Sequence, residues 1–340
     1  MSRLRALTAL TVGSALVLTG CAGSAGSSEG DSNAEAGAGF PVTIEHAFGT
    51  TTIEAKPERV ATVAWSNQEV PLALGVVPVG MAKATWGDDD GDGILPWVED
   101  KLEELGGETP VLFDETDGID FEAVADTQPD VILAAYSGLT QEDYDTLSKI
   151  APVVAYPEAP WNTTLDQMIR LNSEGLGMAD EGEALIEEIK TESQAAFDAH
   201  PELAEVAPVF AFTDPTDLSS ITYYTEHDPR AGYLSEFGMP TAAQVETASG
   251  ETDAFYTDIS AEQVDAFSDV GLWITYGPAD GSLQTQLQAD PLLSQVPAIA
   301  EGRIAVLEDG TPLAASANPS PLSVSWGLNA YLDVLSAALR

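Results

Sequence analysis

Ala179-Asp-Glu-Gly-Glu-Ala-Leu-Ile-Glu-Glu-Ile-Lys-Thr-Glu-Ser-Gln-Ala-Ala-Phe-Asp-Ala199 decides how the chain is organised. It puts Leu185, Ile189 and Ala196 on one helical face, and no Pro or Gly interrupts it after Gly182, so the spacing predicts one long helix. The whole stretch 165–203 is almost free of strand signals. On either side of it, short apolar runs alternate with helix-like segments. Residues 60–65, 76–81, 131–135 and 153–156 read as buried strands before it, and 209–212, 271–275 and 303–307 after it. Ser66-Asn-Gln-Glu69 reads as a capping box opening a helix that Gly75 closes, and Thr140-Gln-Glu-Asp143 as a second box. Alternating strands and helices imply largely parallel sheets. The expected fold is therefore α/β, with two lobes (41–164 and 204–340) joined through the helical segment 165–203. A stiff connector holds the lobes at a nearly fixed separation, so large hinge closure is not expected.

An internal repeat supports two lobes. Ile119-Asp-Phe-Glu122-Ala-Val124 and Ile259-Ser-Ala-Glu262-Gln-Val264 match at a spacing of 140, which also carries Leu133 onto Trp273 and Tyr136 onto Tyr276. Each copy reads as helix, buried strand, then a Tyr at the strand's exit. Because α/β sheets bind ligands beyond the carboxyl ends of their strands, Tyr136 and Tyr276 are expected along one cleft.

The 340 residues carry 56 acidic and 12 basic side chains, a net charge of −44 that disfavours nucleic acid and anionic lipid as partners. A single Cys excludes an internal disulfide and any multi-thiolate metal site. Residues 1–20 have the layout of a signal peptide: Arg3 and Arg5, an apolar run from Ala6 to Leu18, then small residues. The run is too short for a helix that stays in the membrane. Leu18-Thr19-Gly20-Cys21 resembles a bacterial lipobox, which implies cleavage before Cys21 and acylation of its sulfur. Residues 22–39, rich in Gly and Ser, read as a flexible spacer, so that 21–40 form a lipidated tether.

Several stretches carry a wider resemblance: Pro41-Val-Thr-Ile-Glu-His-Ala-Phe-Gly49, Lys56-Pro-Glu-Arg-Val60, Leu72-Ala-Leu-Gly-Val-Val-Pro-Val-Gly80, Gln128-Pro-Asp-Val-Ile132, Asp290-Pro-Leu-Leu-Ser-Gln-Val-Pro297 and Ser320-Pro-Leu-Ser-Val-Ser-Trp-Gly-Leu328. In order and spacing the chain resembles the substrate-binding lipoproteins of ABC importers for iron–siderophore complexes, relatives of the ferrichrome- and vitamin B12-binding proteins. The resemblance covers nearly everything after the spacer. It implies the class III periplasmic-binding-protein fold: two Rossmann-like lobes bridged by a long helix, a shallow cleft, and modest closure on a finished metal complex. It further implies a monomer held to the outer face of the cell membrane by its lipid alone, with no cofactor of its own. The partners would be a ferric siderophore and an ABC permease dimer with its cytoplasmic ATPase. Glu122 and Glu262 would each dock with arginines on one permease subunit. Both also sit in a first helical turn, after Asp120 and Ser260 as N-caps, where a carboxylate gains about 0.3–1 kcal/mol from the helix dipole.

Aromatic residues gather at the expected strand exits. Trp65, Trp86, Tyr136 and Trp161 fall in the first lobe, and Tyr223, Tyr224, Tyr276 and Trp326 in loops of the second, as walls for an apolar chelate. Only Lys83 and Arg230 stand in plausible cleft loops, whereas Arg59 starts a strand. An anionic chelate needs several convergent cations, so a neutral or cationic hydroxamate such as a ferrioxamine is favoured, with Arg230 as its polar contact. Ferrichrome-type relatives place an Arg where this chain reads Phe113-Asp-Glu-Thr-Asp117. Asp88, Asp90, Asp92, Gly93 and Glu99 satisfy a calcium-loop pattern, but the segment entering it is strand-like and Pro96 interrupts it, so it reads as a solvated acidic loop. No GxSxG, HExxH, P-loop or dinucleotide fingerprint marks an enzyme. His46, His200 and His227 are scattered and read as surface residues, against a bare metal-ion site. Haem or cobalamin would suit the same scaffold.

Overall fold

The computed structural model describes residues 39–340. The leader over 1–20 and Cys21 lie outside the described residues. Among those described, no helix is long and apolar enough to cross a membrane.

The first lobe opens with an antiparallel hairpin, β1 (Val42–His46) and β2 (Gly49–Ile53), which buries Ile44 and Ile53. The alternating units that follow are β3 (Val60–Thr62), α1 (Glu69–Ala73), β4 (Gly80–Ala82), α2 (Pro96–Leu105), β5 (Val111–Phe113), α3 (Phe121–Asp126), β6 (Val131–Ala134), α4 (Gln141–Leu147) and β7 (Val153–Ala155). Their strands form an all-parallel sheet in the order β5-β4-β3-β6-β7. Every residue of β3, β6 and β7 is buried, as a sheet covered on both faces requires.

Two long helices lead out of this lobe, α5 (Leu165–Gly175) and α6 (Ala179–Asp198). The expected rod is α6. It buries Ile186, Ile189, Ser193, Ala196 and Phe197, while Leu185 lies half-buried at the edge of that face. Gly182 lets α6 come close to α5: a Cβ there would sit 2.0 Å from the Ser173 Oγ.

The second lobe comprises β8 (Pro208–Phe212), β9 (Ser220–Tyr224), α7 (Pro229–Glu236), α8 (Ala243–Glu251), β10 (Tyr256–Ser260), β11 (Leu272–Gly277), α9 (Ser282–Ala289), α10 (Pro297–Ala300), β12 (Ile304–Glu308), α11 (Pro312–Ser316) and α12 (Ser323–Ala337). Its sheet, β10-β9-β8-β11-β12, repeats the strand order of the first. Only β9 runs against the other four strands, however, because it pairs antiparallel with both β8 and β10. The second copy of the repeat also differs: Ala261–Phe267 is a 3-10 helix with a break at Gln263, where the first copy has α3.

A second connection joins the lobes. Ala315 packs with Leu72, Met81 and Trp97 of the first lobe, and α12 returns along α6. The seam is closed by Glu69, fully buried, which accepts the Trp97 Nε1–H at 2.8 Å and the Leu322 N–H at 3.0 Å. The expected capping box at Ser66 is therefore absent. α1 has no side-chain cap, and Ser66 takes a left-handed backbone (φ 62) that turns Glu69 inward. The second box holds, with Thr140 and Asp143 bonding reciprocally.

Within the same turn, the buried Asn67 joins three elements. Its Nδ2 donates to the Val63 and Tyr136 carbonyls at 2.9 and 2.8 Å, and its Oδ1 accepts from the Tyr136 N–H and from Asn172 of α5. Removing it leaves several buried polar groups unpaired, each costing about 1–3 kcal/mol. Asn67→Ala is expected to lower unfolding free energy by about 3 kcal/mol, read as a reduced urea midpoint with an unchanged m-value.

Candidate functional site

Three adjoining hollows lie at the carboxyl ends of the sheets' strands. The central one, of about 250 Å³, is walled by Trp65, Trp86, Tyr136, Trp161, Arg230, Phe255, Tyr276 and Asn318. Trp86, Arg230 and Tyr276 also border a larger hollow of about 640 Å³ on the second lobe, together with Phe212 and Tyr224. Trp65 and Trp161 also border one of about 370 Å³ on the first lobe, which Lys83, Glu115 and Asp143 line. Tyr136 and Tyr276, paired by the repeat, thus do meet across one cleft.

The walls are fixed by their own contacts. Tyr136 and Trp161 stack edge to face at 5.3 Å, as do Trp86 and Tyr276 at 5.2 Å. Trp161 takes a left-handed backbone (φ 59), anchored where its N–H donates to the Ser137 carbonyl. Its ring lies so close over Gly138 that a Cβ there would come 2.4 Å from Nε1. Across the cleft, the Trp86 Nε1–H donates to Asp309 at 3.0 Å, and Asn162 donates to the Asp253 carbonyl at 3.2 Å. Asn318, almost fully buried, donates to the Tyr136 hydroxyl, while its Oδ1 has no partner; the buried Trp65 Nε1 has none either.

Arg230 is held rather than free. Its Nε and one terminal nitrogen donate to the two oxygens of the fully buried Asp228, both at 2.7 Å, and the other donates to the Tyr224 hydroxyl at 2.9 Å. Its guanidinium lies 3.8 Å from the centre of the Tyr224 ring. Burial works against its charge, yet Asp228 holds its pKa well above the ordinary range. The pair is internally neutral, with Asp228 fully buried and Arg230 partly open to the hollow, unlike an exposed ion pair. Burial pushes the Tyr136 and Tyr276 hydroxyls up, so both stay protonated. Lining carboxylates outnumber the cations: Asp214, Glu308, Asp309, Glu115 and Asp143 face Lys83 and the already neutralised Arg230.

Two of the expected wall residues lie elsewhere. Tyr223 is fully buried in the second lobe's core, edge-on to Phe267, because it points to the opposite face of β9 from Tyr224. Trp326 sits on α12 against Trp97, 40% exposed, and lines none of the three hollows. Tyr224 and Tyr276 are strand residues, not loop residues. Arg59 stands one residue before β3 rather than in it, outside the cleft lining, and bonds the Thr127 and Gln128 carbonyls. His46 is buried and bonded to Thr51, a correction to its surface reading; half-buried His227 bonds the Ser249 carbonyl, and His200 pairs with Asp333. Phe255, Asn318 and Glu115 line the hollows without a signal in the sequence.

Asp88, Asp90 and Asp92 bring ligand oxygens within 4.8 Å of one another, but Glu99 stands apart in the first turn of α2. The Asp88 carboxylate is occupied with the Asp90, Gly91 and Gly93 N–H groups. Glu122 and Glu262 are both exposed in first turns capped by Asp120 and Ser260.

Burial raises the Glu115 carboxyl to about 7, against a bond from the Ala64 N–H that pulls it down. The folded chain then holds a proton that the unfolded chain has lost between about pH 4.5 and 7, so stability falls as pH rises through that window. Glu115→Gln, which keeps an acceptor for Ala64, is expected to raise the melting temperature at about pH 8, by an increment worth about 1–3 kcal/mol at roughly 1.4 kcal/mol per pKa unit, and to leave it unchanged near pH 4. Calorimetry at the two pH values checks this.

The family model described as periplasmic binding protein matches residues 60–310. The crystal structure of Streptococcus pneumoniae TIGR4 PiaA in complex with ferrichrome is 45% identical, with a TM-score of 0.84, covering 88% of this chain and 98% of that one. The probable siderophore-binding lipoprotein YfiY of Bacillus subtilis is 29% identical over 281 residues, 81% of this chain and 80% of the relative. The Fe(3+) dicitrate-binding periplasmic protein FecB of Escherichia coli is 25% identical over 289 residues, 80% of this chain and 84% of the relative. With the fold, the cleft between two like sheets and the family match in agreement, the chain belongs to the periplasmic binding protein family.

Proposed function

We propose that this chain is the extracytoplasmic receptor of an ABC importer. It captures a ferric siderophore of neutral or cationic hydroxamate type between its lobes, 41–164 and 204–340, and is held to the membrane by a lipid on Cys21. The observation that carries the reading is the central hollow: six aromatic rings around one guanidinium already neutralised by Asp228. Such a site desolvates a bulky chelate of low charge cheaply and pays heavily for an anion. PiaA was solved with ferrichrome at 45% identity, which supports the hydroxamate class. FecB, named for Fe(3+) dicitrate, is the more distant of the two at 25%.

Tryptophan-quenching titration against ferric chelates of differing charge, with haem and cobalamin alongside, tests the reading. Neutral and cationic hydroxamates are expected to bind at least about a hundredfold more tightly than ferric citrate or a tris-catecholate, since unpaired burial of charge costs several kcal/mol. Preferential binding of haem, cobalamin or an anionic chelate would overturn it.

Glu122 and Glu262 are proposed as the permease contacts, one for each lobe of a pseudo-symmetric partner. Glu122→Ala with Glu262→Ala is expected to leave chelate affinity intact and to abolish uptake of radioactive iron by cells; unchanged uptake removes the docking role.

A further inference from the structure

The first-lobe hollow shares Trp65 and Trp161 with the central one, and Glu115, in the loop after β5, lines it. Both Glu115 oxygens accept a single donor, the Ala64 N–H, at 3.0 and 3.3 Å, where Ala64 is itself left-handed (φ 61). Among the described residues no cationic side chain forms an ion pair with Glu115. Lys83 lines the same hollow but is exposed, and its charge is felt at Asp114. Asp143, also in the lining, is occupied by its capping box with Thr140. A mostly buried carboxylate with one hydrogen bond and no counter-charge is costly to keep, and a cation delivered by the ligand would offset that cost. The Trp65 and Trp161 rings beside it favour the same kind of group, since indole faces attract cations.

We propose that Glu115 is a specificity-determining contact that receives a protonated amine on an arm of the bound chelate. The protein would then prefer a linear tris-hydroxamate iron complex ending in an ammonium to the same complex with that amine acylated. The inference rests on the reading of the cleft as a ferric-siderophore site and adds the end of the ligand that the first lobe reads.

The test is a titration of the whole protein at about pH 8 with the two ferric chelates, one bearing the free amine and the other its N-acetyl derivative, in wild type and Glu115→Gln. Wild type is expected to bind the amine form about tenfold more tightly, and the ratio to fall to about one in the variant. Equal affinities in wild type, or a preference that survives in Glu115→Gln, would overturn the role of Glu115 while leaving chelate binding intact. Binding of neither complex would instead remove the siderophore reading and the inference with it. Should the variant fail to fold, the wild-type ratio in rising sodium chloride decides: an ammonium–carboxylate contact loses its advantage as salt is added, and a salt-insensitive ratio counts against it.

Discussion

The turn that follows β3 carries the constraint on which the architecture depends. Ala64 and Ser66 both adopt left-handed backbone, a conformation that costs an L-residue about 1–2 kcal/mol and persists only where the surroundings enforce it. Here the enforcement comes from two neighbours. Asn67 is drawn into the first lobe, where its amide ties the exit of β3 to the exit of β6 and to α5. Glu69 is drawn the other way, to the Leu322 N–H at the head of α12 and the indole of Trp97. One short turn thus sets both the height of Tyr136 above its sheet and the seat of the second inter-lobe connection. The Ala64 N–H, turned by the same geometry, is the donor that reaches Glu115. Strain in the backbone is exchanged for position at the cleft.

The cleft's electrostatics follow from how its one buried cation is supplied. A free guanidinium in an aromatic hollow would be an anion receptor, but Asp228 engages it bidentately and Tyr224 covers its face. What remains is a rigid, polar and nearly neutral wall that can donate hydrogen bonds to the oxygens of a chelate without demanding net negative charge. The acidic rim at Asp214, Glu308 and Asp309 then acts in one direction, raising the energy of any anion that approaches. In a chain with 56 acidic and 12 basic residues this rim is the local expression of a global property, and the hollow is where it becomes selective.

How far the sequence discloses this depends on the face each residue takes. In the first lobe β3, β6 and β7 are legible because a sheet covered on both sides needs unbroken apolar runs, as at Val131–Ala134, whereas β5 and the hairpin carry no such run and the expected strand 76–81 meets β4 only at Gly80 and Met81. The rod is legible from its uninterrupted period, and the cleft position of Tyr136 and Tyr276 from the repeat. β9 and β10 are not, since Ser220–Tyr224 and Tyr256–Ser260 interleave polar with apolar residues and pair antiparallel. Tyr223 and Tyr224 show the limit most sharply: adjacent strand residues point to opposite faces, so one reaches Arg230 and the other the core, and composition cannot say which. Trp326 misleads for a related reason, because its partner Trp97 arrives from the other lobe through a connection with no local signal. Ser66-Asn-Gln-Glu69 has the letters of a capping box, yet its carboxylate is spent on tertiary structure. Asn318 and Glu115 matter through what they lack, an accepted bond or a counter-ion, and a missing partner leaves no trace in the sequence.

Two connections between lobes bear on how a bound ligand is reported. With α6 as one strut and the α11–α12 segment as the other, opening by tens of degrees would break the Glu69 contacts and strip α12 from α6. Motion is left to the loops at the strand exits, where Trp86 meets Asp309 and Asn162 meets the Asp253 carbonyl across the gap. If Glu122 and Glu262 are the permease contacts, their separation is then set by the struts and barely changes with occupancy. Docking and ligand sensing become separable: the first is read from a rigid frame and the second from whether a chelate props or permits those cross-cleft bonds. A rigid frame also makes the hollow pre-organised, so little of the binding free energy is spent on ordering the walls.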